Sequence, residues 1–210
     1  MKQKTAFFEV KLQSGLGDAE ARYFPSPEAT RGVVFVPGAI GGWHSPAHNL
    51  YGRLVEQLND AGIAALQIKF RDPHALEEAT RDVLAGLAFF EDEGIKRAGV
   101  VGHSFGGAVV IAAAARSKLV RTVVALSTQS YGAIPAIYAL GRRCSILLAH
   151  GADDEILPPE CSQYVYNETR GRRKLLLLPH TRHGLDEAAN QLLDEVRAWL
   201  LKELGPVRSS

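Results

Sequence analysis

Short, predominantly apolar runs alternate along this chain with longer segments whose apolar residues recur every three or four positions. Gly32 to Val36, Ile63 to Phe70, Ala98 to Val101, Val120 to Leu126, Ser145 to Ala149 and Lys174 to Leu178 have the length and apolar density of buried strands. Helical periodicity runs from about Pro46 to Ala61, with Leu50, Leu54, Val55 and Leu58 on one face and Gly62 closing it. A second amphipathic helix is expected from Pro73 to Glu93, with Leu76, Val83, Leu84 and Leu87 inward and Glu77, Glu78, Arg81 and Asp82 outward. Ala108 to Ala115, Pro159 to Thr169 and Leu185 to Leu204 read as further helices, and Tyr131 to Leu140 holds at most a short one. Ahead of all these, Thr5 to Gln13 and Ala19 to Phe24 read as two antiparallel strands joined by Ser14 to Asp18, with a turn at Pro25-Ser26-Pro27.

Strands alternating with helices predict an α/β fold with a mostly parallel sheet covered on both faces. Ligands of such sheets bind beyond the carboxyl ends of the strands. Pro37-Gly38, Ser104, His150-Gly151 and Pro179 all follow strand ends, so loops distant in sequence are expected to meet at one edge. No repeat, low-complexity segment or linker divides the chain, which reads as one domain over 1–210 with a polar tail at 205–210.

Composition narrows the function without naming it. The 210 residues are 46% hydrophobic and 22% charged, with a formal net charge of +1, which gives no broad electrostatic surface for nucleic acid or a membrane. Met1 to Glu9 has a basic opening but no long apolar core, and no uninterrupted apolar stretch approaches spanning length, so a cytoplasmic protein is expected. Cys144 and Cys161 are not a Cys-x-x-Cys pair and read as free thiols of a reducing compartment. His44 and His48 are four apart, but Pro46 separates them and no third ligand is evident, so no metal is expected. Arg170 to Lys174 reads as an exposed basic turn rather than an anion site.

The densest chemical signal is Gly102-His103-Ser104-Phe105-Gly106, a Gly-x-Ser-x-Gly pattern between a strand and a helix. A serine on a sharp strand-to-helix turn presents its hydroxyl at the sheet edge, where a substrate carbonyl can reach it. Gly106-Gly107 lets the helix approach the sheet. With 20 glycines in the chain, the pattern alone also fits an ordinary turn with a capping serine, so partners must decide. A serine nucleophile needs a base, and the base an orienting acid. His183, in Pro179-His180-Thr181-Arg182-His183-Gly184, is the first choice of base, with His180 its competitor. His103 is expected to point away from the serine, His150 to pack beneath the acid loop, and His74 to lie exposed. The acid candidates lie in His150-Gly151-Ala152-Asp153-Asp154-Glu155-Ile156-Leu157-Pro158, with Asp154 ahead of Asp153, unless the three acids merely form a solvated turn.

The order Ser104, Asp154, His183 on alternating strands and helices resembles the α/β-hydrolase superfamily. Gly102 to Gly106 is similar to its nucleophile elbow, His150 to Pro158 to its His-Gly-x-x-Asp-x-x-Val-Pro acid loop with Leu157 in place of Val, and His183-Gly184 to its histidine loop. The likeness extends from about Gly32 to Leu204. It implies a three-layer α/β-hydrolase fold, Asp154 as the catalytic acid, and an oxyanion hole from the backbone N–H groups of Ala39 and Phe105, although Pro37 stands where the superfamily commonly has histidine. Ser127 to Arg143 leaves no room for a lid domain, so the chain looks like the small lidless members, the dienelactone hydrolase-like and carboxylesterase groups. Dienelactone hydrolases use a cysteine nucleophile, and Ser104 departs from them. The resemblance implies a serine hydrolase acting on a small-molecule acyl substrate without a cofactor. Thioesterase, acyltransferase and peptidase chemistry share the acyl-enzyme, halide release is disfavoured by the serine, and a ligand-binding or interaction protein on the same fold is the alternative. Ile40, Trp43, His44, Gln129, Tyr131, Ile134 and Ile137 are the candidates for the pocket wall.

Overall fold

The computed structural model describes residues 6–15 and 17–205, so Thr5, the loop residue Leu16 and most of the tail lie outside the described residues. One eight-stranded sheet runs through the molecule. Its strands are β1 (Phe8–Gln13), β2 (Asp18–Phe24), β3 (Arg31–Val36), β4 (Ala64–Lys69), β5 (Arg97–His103), β6 (Val120–Leu126), β7 (Ser145–Gly151) and β8 (Arg173–Leu178). Their order across the sheet is β1-β2-β4-β3-β5-β6-β7-β8. β2 is antiparallel to β1 and to β4, and every other pair is parallel. β2 alternates Ala19, Ala21 and Tyr23 inward with polar residues outward, as expected of a strand with one wet face.

Six helices cover the sheet: α1 (Pro46–Asn59), α2 (Leu76–Asp92), α3 (Phe105–Arg116), α4 (Ile134–Leu140), α5 (Glu160–Glu168) and α6 (Ala189–Leu204). The period of two along each central strand divides its side chains between two cores. Val34, Val36, Val100 and Val123 join α2, α3 and α4 on one face. Val33, Phe35, Val101 and Val124 join α1 and α6 on the other. Leu50, Leu54 and Leu58 of α1 are fully buried there, each contributing about 1.5–3 kcal/mol of apolar transfer energy. α3 is buried all round from Phe105 to Ala114, which explains why its sequence shows no polar face.

Three expectations need correction. Ala47, His48 and Asn49 have φ of 52, 50 and 62°, so α1 turns right-handed only from Leu50, after a left-handed turn. Leu185 is also left-handed, and a 3-10 turn, Asp186–Ala188, precedes α6. Asp82 does not face solvent. It is fully buried, accepting a hydrogen bond from the Arg71 backbone N–H at 3.0 Å and another from Arg71 Nε at 2.7 Å. Its neighbours on the helix show no such partner in the sequence, and Arg71 lies beyond any helical spacing, in the loop after β4.

A buried carboxylate held by one arginine leaves an uncompensated charge when either is removed. Asp82→Leu is expected to destabilise the fold by about 3–5 kcal/mol, and adding Arg71→Met to recover part of the loss. Urea unfolding of the single and double variants checks this, and equal midpoints for both variants contradict it.

Candidate active site

The carboxyl ends of β3, β5, β7 and β8 bring the sequence candidates to one edge. Ser104 joins β5 to α3 with φ 56° and ψ −121°, a conformation that costs a non-glycine residue about 1–3 kcal/mol. Its backbone N–H donates to the Leu126 carbonyl at 2.8 Å, and Gly107 N–H donates to the Ser104 carbonyl at 3.0 Å. The glycines make the turn sterically possible. A Cβ on Gly102 would run into the Gly106 carbonyl, one on Gly106 into the Pro37 carbonyl, and one on Gly107 into the Thr128 side chain. Phe105 opens α3, so its N–H is among the donors that helix geometry leaves without an intrahelical acceptor. Ala39 lies in the tight turn closed by Gly41 N–H on the Gly38 carbonyl at 3.0 Å.

The acid loop and the histidine loop are laced together. Asp153 N–H donates to the Thr181 carbonyl at 3.0 Å, and Ala152 N–H to the Leu178 carbonyl at 2.8 Å. Gly151 has no room for a side chain against the carbonyls of Thr181 and Arg182. Across this junction His183 Nδ1 lies 2.8 Å from Asp154 Oδ2. An ionised carboxylate only accepts, so Nδ1 carries the proton, and in the neutral tautomer this leaves Nε2 as the ring's acceptor nitrogen. Glu155 adds a second tie, accepting the His183 backbone N–H at 3.2 Å. The Asp154 side chain is fully buried and its Oδ1 accepts from the N–H groups of Ile156 and Leu157 at 2.9 and 2.8 Å. Burial pushes the carboxyl upward, but the Leu157 N–H, His183 and the Ile156 N–H outweigh it and hold it below the usual carboxylate range.

His150 lies beneath the acid loop as expected. Nε2 is 3.0 Å from both the Leu157 carbonyl and Asp154 Oδ2, and Nδ1 is 2.7 Å from Ser162 Oγ. Burial lowers its pKa, so the neutral ring donates from Nε2 to this acid loop and accepts the Ser162 hydroxyl at Nδ1. The two competitors, Asp153 and His180, face each other on the surface, 3.8 Å apart and largely exposed.

His103 departs from expectation. Its ring packs 4.8 Å from that of His183 and 6.2 Å from that of His44, and Nε2 donates to the His183 carbonyl at 2.9 Å. With the proton on Nε2, the buried Nδ1 is a bare acceptor with no partner among the described residues. Burial pushes this histidine down to about 4. Tyr51 is a second residue that the helical pattern conceals: fully buried in α1, it donates its hydroxyl to the Val36 carbonyl at 2.9 Å, just ahead of the Pro37-Gly38 turn.

A cavity of about 240 Å³ opens beside the serine, lined by Gly38, Ala39, Ile40, His44, His103, Ser104, Ile156 and His183. Ile40 and His44 were expected there; Ile156 was not, although it belongs to the acid loop. Trp43, Gln129, Tyr131 and Ile134 lie outside the lining. Trp43 stacks under the Arg22 guanidinium at 4.1 Å, Gln129 turns onto the Tyr131 carbonyl at 3.1 Å, Tyr131 stands out in solvent, and Ile134 packs against the core. Ile137 is buried in that same core. Ile134 and Ile137, in the short segment between β6 and β7, thus pack into the core beside α3 rather than over the serine.

Residues 33–208 match the model of the alpha/beta hydrolase family, and the chain belongs to that family. No curated protein is significantly similar in sequence. The fold is similar to that of dienelactone hydrolase from Anabaena variabilis, with 19% identity over 97% of this chain and 100% of that one and a TM-score of 0.83. It is also similar to Est1E from Butyrivibrio proteoclasticus, with 18% identity, 93% and 98% coverage and a TM-score of 0.79. The esterase domain of a Rhodothermus marinus protein matches with 17% identity, 95% and 100% coverage and a TM-score of 0.78. This chain has the α/β-hydrolase fold without a separate lid. Among the described residues no helix is long and apolar enough to cross a membrane.

The His103 environment has a consequence for stability. A histidine near 4 in the folded chain and near 6.5 when unfolded contributes fully above pH 6.5, and its contribution falls by up to about 3 kcal/mol as pH drops toward 4. His150 and Asp154 shift in directions that give the same sign. Unfolding free energies of His103→Leu, read from urea titrations, are expected to fall less steeply than wild type between pH 6.5 and 4, while lying about 1 kcal/mol lower at pH 8 from the lost bond to His183. Parallel pH profiles for the two proteins count against a neutral, buried His103.

Proposed function

We propose that the protein is a serine hydrolase that cleaves a small carboxylic ester or related acyl bond through an acyl-enzyme. The observation that carries this reading is the 2.8 Å bond from His183 Nδ1 to the buried Asp154, with His183 and the strained Ser104 lining one cavity. Ser104 Oγ attacks the acyl carbonyl and its proton passes to His183 Nε2. Asp154 holds the proton-bearing Nδ1 edge and stabilises the imidazolium. The N–H groups of Ala39 and Phe105 take the developing oxyanion; a donor of this kind contributes about 2.7–4 kcal/mol. The imidazolium gives its proton to the leaving group, which departs with the electron pair of the broken acyl bond. Water then attacks the acyl-enzyme, loses a proton to His183, and Ser104 regains one as the carboxylic acid leaves.

The cavity supports a short acyl group. Its 240 Å³ is below the roughly 300–1,000 Å³ of drug-sized pockets. Ile40 and Ile156, 78% and 64% exposed, give its mouth an apolar rim. The likeness to a dienelactone hydrolase and an esterase domain agrees with acyl chemistry and leaves the substrate open.

Fluorophosphonate is expected to label the wild-type protein at Ser104 and not to label Ser104→Ala; equal labelling of both overturns the assignment. With p-nitrophenyl acetate and butyrate, Ser104→Ala and Asp154→Asn are each expected to lower kcat by on the order of 10⁴-fold, the second because an amide favours the wrong imidazole tautomer. Asp153→Asn is expected to change kcat less than about threefold, because exposed pairs of this kind contribute little.

A further inference from the structure

The end of the sheet opposite Ser104 holds a second cavity, of about 340 Å³, lined by Arg97, Arg121, Arg142, Arg143, Ser145, Arg172 and Glu203. Arg97 opens β5, Arg121 is the second residue of β6, Ser145 opens β7, Arg142 and Arg143 follow α4, Arg172 precedes β8, and Glu203 is in the last turn of α6. The amino ends of four neighbouring parallel strands thus gather arginines that are far apart in sequence. Arg172 alone reads as part of an exposed basic turn; the fold surrounds it with four more.

Their charge is poorly compensated. Glu203 is mostly covered and is engaged by Arg172 at 2.8 Å. Arg143 spends its guanidinium on the carbonyls of Ala114, Ala115 and Ser117 at the end of α3, which fixes its position without neutralising it. Arg97, Arg121 and Arg142 have no carboxylate within 4.0 Å among the described residues. Five arginines and one glutamate outweigh the formal net charge of the entire chain, +1, so the remaining residues are net acidic. A positive concavity on an otherwise acidic chain does not suit a long nucleic acid, which needs an extended basic track. It suits a compact anion. Guanidinium forks match phosphate oxygens in pairs, and several converging forks demand more than one anionic group.

We propose that this cavity binds a small molecule bearing two linked phosphate groups, at a site separate from the acyl chemistry. The two cavities share no residue, and the length of β5 sets them roughly 20 Å apart. The proposal stands whether or not the serine is a nucleophile.

Inorganic pyrophosphate is the probe, titrated calorimetrically at about 0.15 M salt to screen diffuse attraction. One pyrophosphate is expected per chain, at least about tenfold tighter than orthophosphate or sulfate, or about 1.4 kcal/mol. Arg121→Gln/Arg142→Gln, both exposed side chains, is expected to weaken it at least tenfold with the thermal midpoint in ligand-free buffer unchanged. Arg53→Gln, remote from the cavity, is expected to bind as wild type. Absence of saturable binding, equal affinity for sulfate, or undiminished binding by the double variant each overturns the site. Should the double variant be unstable, Arg142→Gln alone and the wild-type selectivity for pyrophosphate decide the same question.

Discussion

The close approach of α3 to the sheet is the constraint on which this active edge depends. Ser104 sits in a backbone conformation that an L-residue resists, and nothing in its own side chain repays the strain. What holds it is backbone packing: Gly106 lies against the Pro37 carbonyl, Gly102 against Gly106, and Gly107 against Thr128. Those contacts join the ends of β3, β5 and β6 at one point. The Gly38 turn, the serine and the start of α3 therefore take their positions from one another, and any one of them misplaced moves the other two.

Around that point the chemistry is arranged with few free charges. Asp154 is a buried carboxylate that receives hydrogen bonds from two backbone N–H groups, His183 and His150. Both neighbouring histidines, His103 and His150, are kept neutral by burial, so neither places a cation beside the carboxylate. The partly exposed acids and bases of the same loops pair outward, Asp153 with His180 and Glu187 with Arg182. Cys144, buried and pushed up to about 12, lies in the core and is chemically quiet.

The sheet and its edge were legible because their signals are local. Apolar runs bounded by glycine and proline marked β3 to β8 closely, and the loops after them carried the serine, the acid and the histidine in an order the fold brings together. What escaped depended on partners remote in sequence. Asp82 has the spacing of a solvated residue, and only the loop carrying Arg71 makes it a core residue. His103 alternates away from Ser104 along an ideal strand, but the turn at the elbow brings its ring against the returning histidine loop eighty residues later. Trp43 was plausible as a pocket wall until Arg22, from an outer strand, gave its ring a cationic partner. The pocket was the least readable feature because its walls are set by how short loops lie, and these follow packing rather than periodicity.

The left-handed turn at Ala47 to Asn49 ties two of these loops into one body. Ala47 N–H donates to the Gly184 carbonyl at 2.8 Å, and His48 N–H to Asp186 Oδ1 at 2.9 Å. A strained turn survives only while its docking partners hold it. The segment from Gly38 to Asn49 and the segment from His180 to Ala188 are thus one structural unit although they lie far apart in sequence. A chimera that exchanges only one of these loops replaces one side of both hydrogen bonds and leaves the other side unmatched.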